Sequence, residues 1–152
     1  IHENRAFLRQ WLPWVDNTIT ADDSRAFIED SLEQHRRGEC VVAAIWCEGQ
    51  IVGCIGLNNI QTSHLRAEIG YWLSRSYQSK GIITRACRQM LNYAFDELKL
   101  NRIEILVAEK NHRSRAVPER LGFVEEGTLR DYYRTHQAFV NVVMYSMLRS
   151  DW

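Results

Sequence analysis

The stretch that most constrains this chain is a polar, glycine-containing turn, Arg75-Ser76-Tyr77-Gln78-Ser79-Lys80-Gly81-Ile82-Ile83-Thr84-Arg85. A strand-like run precedes it, Ala67-Glu68-Ile69-Gly70-Tyr71-Trp72-Leu73, and a helix-like run from Ile82 to Leu98 follows. A turn of this kind directs backbone N–H groups outward at the start of the helix. Those donors have no partner inside the helix, and the aligned peptide dipoles add about half a positive charge there. Such an end can hold a phosphate group. Arg75, Lys80, Arg85 and Arg88 flank it. They form either a solvated helix face or, beside a helix start, the surroundings of a polyanionic ligand. The turn by itself also serves as an ordinary strand-to-helix connection.

The remaining segments follow from periodicity. His2 to Leu12 predicts a short helix with Phe7, Leu8, Trp11 and Leu12 at helical spacing, stopped by Pro13. The aromatic end Trp11-Leu12-Pro13-Trp14 packs or shapes an acceptor pocket. Thr20 caps a second helix, with Asp22 and Asp23 complementing its dipole. Phe27, Ile28 and Leu32 form its apolar stripe, and Gly38 ends it. Glu29, Asp30 and Glu33 make that helix acidic, as a solvated face or as an attractor for a cationic acceptor. Cys40–Cys47 and Ile51–Leu57 predict a hairpin around Glu48-Gly49-Gln50. Gly53 and Gly56 suggest a bulge or a close backbone approach. Asn58–His64 reads as a polar connection and Arg66–Leu73 as the third strand.

On that third strand Glu68 shares a face with Gly70 and Trp72. A carboxylate in an otherwise apolar strand is an outward-facing edge residue or a general base with its pKa raised by partial burial. In the following helix Ile83, Cys87, Met90, Leu91, Ala94, Phe95 and Leu98 form one stripe. Asn101 marks its end. Arg102–Ala108 is the next strand; a loop, a short helix and a Gly122 stop follow. Phe123–Leu129 and Phe139–Leu148 are the last strands, around a Tyr-rich loop from Arg130 to Gln137.

The chain has 152 residues, 45% hydrophobic, enough for a single domain over residues 1–152 with a real core. Lys plus Arg equals Asp plus Glu at 19 each, which argues against a nucleic-acid binder. No apolar run is long enough for a bilayer, and no signal-peptide pattern opens the chain. Cys40, Cys47, Cys54 and Cys87 show no C-x-x-C pair and no zinc spacing, so no metal is expected. Buried reduced thiols in a cytoplasmic protein are the reading; a catalytic cysteine is the alternative.

Gln78-Ser79-Lys80-Gly81 resembles the pyrophosphate loop of the GCN5-related N-acetyltransferases (the GNAT superfamily), Arg/Gln-x-x-Gly-x-Gly/Ala, with Ile83 in place of the last small residue. Asn111-x-x-Ser114-x-x-Val117-x-x-Arg120-x-Gly122-Phe123 resembles the second signature of the family. Glu68–Leu73, Asn101-Arg102, Glu125-Glu126-Gly127 and the early Asn4-Arg5 and Leu8–Trp14 run are similar to its ribosomal-protein serine/alanine N-terminal acetyltransferase branch. The resemblance covers essentially the whole chain.

The resemblance implies an α/β (α+β) fold. Its mixed central sheet has splayed parallel strands and flanking helices, and the first family strand is missing from this chain. It implies acetyl-CoA as donor and a primary amine as acceptor, the N-terminal amine of a ribosomal protein in the first instance. A small-molecule amine, such as a polyamine or aminoglycoside, and a non-catalytic coenzyme-A-binding module are the alternatives. A homodimer is implied by analogy.

The phosphates would lie on the N–H groups of Ser79, Lys80, Gly81, Ile82, Ile83 and Thr84, with Gln78 and Arg120 as further motif matches. The pantetheine arm would meet the backbone of Tyr71, Trp72 and Leu73 and the Asn111 side chain. Glu68 would be the base. Ser114 would be the acid or a local helix cap, with Tyr132, Tyr133 and Tyr145 as alternative acids. Near the acceptor end, His136–Asn141 departs from an expected Asn-Gly turn and an Asp near Asn141.

Overall fold

The computed structural model describes residues 1–135 and 138–152. Six strands, β1 (Val41–Cys47), β2 (Gln50–Gln61), β3 (Arg66–Leu73), β4 (Arg102–Ala108), β5 (Val124–Arg134) and β6 (Phe139–Leu148), form one sheet in the order β1-β2-β3-β4-β6-β5. All neighbours are antiparallel except β3 and β4, which run parallel. This is the expected mixed α/β architecture. The connection between the parallel strands carries α3 (Ile82–Asn92), as a crossover requires.

The β1–β2 hairpin turns on Glu48 and Gly49, both left-handed at φ 52° and 76°. Two positive φ values in a two-residue loop match the twist of the flanking strands. The close approach read from Gly53 is real: a Cβ there would meet the Trp72 carbonyl oxygen at 2.3 Å. β2 can lie against β3 at that point only without a side chain.

α3 lays Cys87, Met90 and Leu91 onto the sheet, and Ala94 and Phe95 continue the stripe. They meet Ile69, Ile103, Ile105, Val143, Tyr145 and Met147 from the strands. Burying one Leu or Phe there contributes about 2–3 kcal/mol. The helix does not run as one α-helix to Leu98: Tyr93–Glu97 forms a wider π-type turn, and Lys99 leaves it at φ 55°. α4 (His112–Leu121) packs on the same face through Val117 and Leu121 and stops at the left-handed Gly122.

Elsewhere the structure departs from the expected segments. The first helix is only α1 (Arg5–Leu8), flanked by 3-10 turns His2–Asn4 and Pro13–Asp16. The Arg5 guanidinium donates to the Val15 and Thr18 carbonyls, which folds the segment back and buries Leu8 and Val15. α2 (Ala21–Arg36) has the predicted Thr20 cap, completed by Asp23 as a capping box. Its apolar stripe does not face the core: Phe27, Ile28 and Leu32 are 55%, 55% and 51% exposed. The helix rests instead on its cap and on pairs such as Arg25–Asp22 and Arg36–Glu33.

The polar connection after β2 is partly strand. β2 reaches Gln61 opposite Arg66, past a bulge with Asn59 at φ 55°. β5 likewise runs on to Arg134 opposite Phe139, so most of the expected Tyr-rich loop is strand. His136 and Gln137 lie outside the described residues. All four cysteines are free thiols, but Cys47 on β1 and Cys54 on β2 are only half-buried.

The tight β2–β3 contact carries a prediction. Gly53→Ala should lower stability by about 2 kcal/mol through overpacking against backbone. The check is a lower urea midpoint at unchanged slope.

Candidate active site

β3 and β4 stay paired over only three registers, Arg66↔Arg102, Ala67↔Ile103 and Glu68↔Glu104. The closed end is pinned by Leu65, whose carbonyl accepts from the N–H groups of Asn101 (2.7 Å) and Arg102 (3.1 Å). Past Glu68 the two strands part. β3 keeps β2 as its partner and β4 keeps β6, so the facing backbone edges of Gly70–Leu73 and 105–108 turn into a gap. A polar chain entering that gap meets ready donors and acceptors.

At the mouth of the gap the chain turns into α3. Ser79 and Gly81 are left-handed, at φ 61° and 69°. Gly81 is the N-cap of α3, and no side chain caps that end. α2 closes its own first turn with Thr20 and Asp23; α3 leaves its first-turn N–H groups open. Cations surround them. Arg85 donates to the Lys80 carbonyl at 3.2 Å, and Arg120 to the Thr84 hydroxyl at 3.0 Å. Arg113 donates to Gln78 Oε1 at 2.6 Å. Gln78 therefore faces α4, and Arg113 joins the set that sequence reasoning missed. Its position inside the second signature was the available signal. The entry to this turn is held by Asn4, which donates to the Ser74 hydroxyl at 2.7 Å and accepts from the Arg75 N–H at 2.8 Å.

α4 borders the gap from the core side. Asn111 Oδ1 accepts from the Ser114 N–H at 3.2 Å, so Asn111 caps this helix and the cap reading of Ser114 falls away. That leaves the Ser114 hydroxyl to donate to the Tyr71 hydroxyl at 3.1 Å, while Tyr71 donates to the Ser114 carbonyl at 3.1 Å. The pair bridges β3 and α4 beneath the gap. Burial pushes the Tyr71 phenol well above its ordinary value.

Glu68 stands on the opposite face, half-buried, at the last closed register. Burial raises its pKa, and the charge of Glu104 raises it further. Glu104 is held by Arg102 at 2.7 Å and Arg66 at 3.7 Å.

These residues line one cleft of 970 Å³. It contains Glu68, Tyr71, Trp72, Leu73, Gln78, Ser79, Gly81, Ile82, Ile83, Thr84, Asn111, Ser114 and Arg120. Of the expected coenzyme contacts, Lys80 lies outside the lining; its ammonium lies 4.9 Å over the Tyr77 ring. Trp11, Pro13 and Trp14 form an aromatic wall, with Trp14 6.4 Å from Trp72. Of the three candidate tyrosines, Tyr133 lines the cleft. Tyr132 points outward at 53% exposure. Tyr145 is buried among core side chains, bonded to Arg115 and Glu119, and its phenol is pushed up to about 12 by burial. Glu29, Asp30 and Glu33 do not reach the cleft; Asp30 holds Gln34, and Glu33 holds Arg36.

An opened parallel pair with an uncapped, glycine-headed helix at its mouth matches the resemblance drawn from the sequence. Residues 1–124 match the model of the Acetyltransferase (GNAT) domain, and the chain belongs to that family of N-acetyltransferases. A Bacillus subtilis protein, YdaF, provisionally described as a ribosomal N-acetyltransferase, is 40% identical over all of this chain and 84% of its own. The spermidine N(1)-acetyltransferase of Escherichia coli is 34% identical over 93% of this chain and 70% of its own. The ribosomal L7/L12 α-N-protein acetyltransferase RimL, solved with coenzyme A, superposes with a TM-score of 0.92 at 27% identity, covering 99% of this chain and 85% of that one.

The burial of Glu68 makes a stability prediction. A raised native pKa means that the protonated form is compatible with the fold and the ionised form is penalised. Glu68→Gln should therefore raise the melting temperature near pH 8. That advantage should shrink as pH falls toward 4.5, the ordinary value of the group. Thermal melts of both proteins across that range read the difference.

Proposed function

We propose that this acetyltransferase takes the acetyl group of acetyl-CoA and transfers it to the α-amine at the N-terminus of a ribosomal protein. The observation that carries the reading is the parting of β3 and β4 directly in front of the open end of α3. The open N–H groups of Ser79 to Thr84 bind the diphosphate, assisted by the nearby cations. Asn111 and the free backbone edge of Tyr71–Leu73 orient the amide-bearing arm along the gap. Bound acetyl-CoA supplies the thioester and leaves as the free thiol.

Glu68 accepts a proton from the acceptor nitrogen, directly or through a water, as that nitrogen bonds to the carbonyl carbon. A backbone N–H on the open edge of β3 stabilises the oxyanion. The carbon–sulfur bond then breaks with its electron pair on sulfur, and the Ser114 hydroxyl donates the proton that makes it a thiol. The hydroxyl regains a proton from solvent, and Glu68 releases its own. The two groups stand on opposite faces of the sheet, so base and acid do not neutralise each other.

The charge of the cleft favours an N-terminal amine over a polyamine. Among the described residues, Glu68 is the one carboxylate in its lining, against Lys110, Arg113, Arg120 and Arg134. Such a field draws in an anionic donor and repels a polycation. The relationship to YdaF and RimL supports the same choice, and the relationship to a spermidine acetyltransferase favours the alternative. The reading takes the whole chain as one catalytic domain, supported by its continuous core. It places the enzyme in the cytoplasm, supported by four free thiols, and as a homodimer, supported by the exposed stripe of α2.

Purified protein should release thiol from acetyl-CoA with peptides beginning Ser or Ala, and far more slowly with spermidine. Glu68→Gln and Ser114→Ala should each lower kcat by about 10²- to 10⁴-fold. Turnover confined to spermidine would refute the acceptor assignment. A parent protein that fails to bind acetyl-CoA in calorimetry would refute the donor assignment as well.

A further inference from the structure

The strand pair farthest from α3 carries an irregularity that the coenzyme site does not explain. Leu129 pairs with Val142 and Tyr133 with Val140, so β5 takes four steps where β6 takes two. The two extra residues draw Tyr133 back along the sheet by about 7 Å relative to an unbroken ladder. Asp131 sits in this bulge at φ 50°, a left-handed conformation that is uncommon for non-glycine residues.

What holds it is Asn141. Its Oδ1 accepts from the Asp131 N–H at 3.0 Å. Its Nδ2 donates to Glu109 Oε2 at 3.1 Å, and its carbonyl accepts from the Glu109 N–H at 2.9 Å. An asparagine uses both ends here. An aspartate would keep the first bond, lose the donor to Glu109, and set two carboxylates against each other.

Because the bulge adds an even number of residues, Tyr133 keeps the same face as Glu68. Residues paired across a ladder point to one side, and residues two apart on a strand share it. The series runs from Glu68 to Glu104, along β4 to Ala108, across to Val142, back to Val140 and across to Tyr133. Tyr133 and Glu68 line the same cleft. Burial raises the Tyr133 phenol well above its ordinary value, and the Glu68 charge raises it further, so it stays protonated at neutral pH.

We propose that Tyr133 binds the acceptor amine against Glu68, and that Asn141 is a positioning residue that sets the bulge and so the reach of Tyr133. The inference deepens the acetyltransferase reading and rests on it. The phenol oxygen accepts one N–H of the acceptor while Glu68 faces another, which orients the nitrogen lone pair toward the gap. The arrangement suits a primary amine on a chain that leaves past the aromatic wall of Trp11 and Trp14.

The test is steady-state kinetics with an acetylatable Ser- or Ala-peptide and acetyl-CoA on the full chain. Tyr133→Phe and Asn141→Asp should each raise the acceptor KM about tenfold and leave the acetyl-CoA KM unchanged. Asn141→Asp combined with Glu109→Gln restores a donor–acceptor pair with its direction reversed, and should recover most of the acceptor KM. That recovery separates positioning from general loss of structure. An unchanged acceptor KM in Tyr133→Phe overturns the acceptor role. An Asn141→Asp defect that the second substitution does not relieve, or equal rises in both KM values, overturns the positioning role. Calorimetry on the parent distinguishes the levels: failure to bind acetyl-CoA sinks the acetyltransferase reading and this inference with it.

Discussion

The structure depends on a parallel pairing that stops early. Three registers join β3 to β4, and the two N–H groups donated to Leu65 clamp their closed end. Each strand then continues with a different antiparallel partner, so the separation costs little ladder and opens a row of backbone groups. The core is arranged to hold that separation. The buried stripe of α3 and the shorter face of α4 cover the sheet on one side, and Tyr71 with Ser114 bridges strand to helix beneath the opening.

The opening also divides the chemistry. Helix starts, cations and the Ser114 hydroxyl lie toward the helical side. Glu68, Tyr133 and the aromatic residues before α2 lie on the other. A carboxylate half removed from water, with Glu104 as its register partner on the neighbouring strand, is a poor contributor to stability. Its raised pKa brings it closer to what a base near neutral pH needs. The fold bears an electrostatic penalty at the position proposed for the base.

How much of this was legible in the sequence depended on whether local chemistry or distant packing decided the matter. β3, β4 and α4 begin and end close to where alternation and the Gly122 stop put them, although the cap of α4 falls on Asn111 and not on Ser114. The Thr20 cap and the Gly53 approach were likewise visible, because each rests on its own side chain or on the lack of one. The stripe of α2 was misread because periodicity reports a helix and not what covers it. The segments 58–61 and 130–134 looked like loops because polar residues on bulged strands resemble connections. Arg113 was obscured for a related reason: its contact depends on a partner 35 residues away. Tyr133 was visible only as one of three candidate acids, because its reach depends on the bulge in its own strand.

α4 ties these regions into a single body. Near its start Arg113 grips Gln78, and in its last turn Arg120 grips Thr84. Between them Ser114 reaches Tyr71, and Arg115 locks onto Tyr145 in the middle of the sheet. The helix thus works as a strut fastened at two points to the turn and first residues of α3 and at a third to β3 through Tyr71. On the proposed reading, seating the remote nucleotide end of a donor would load the same helix that carries Ser114, so recognition far from the reacting bond would be passed on mechanically to the place where that bond breaks.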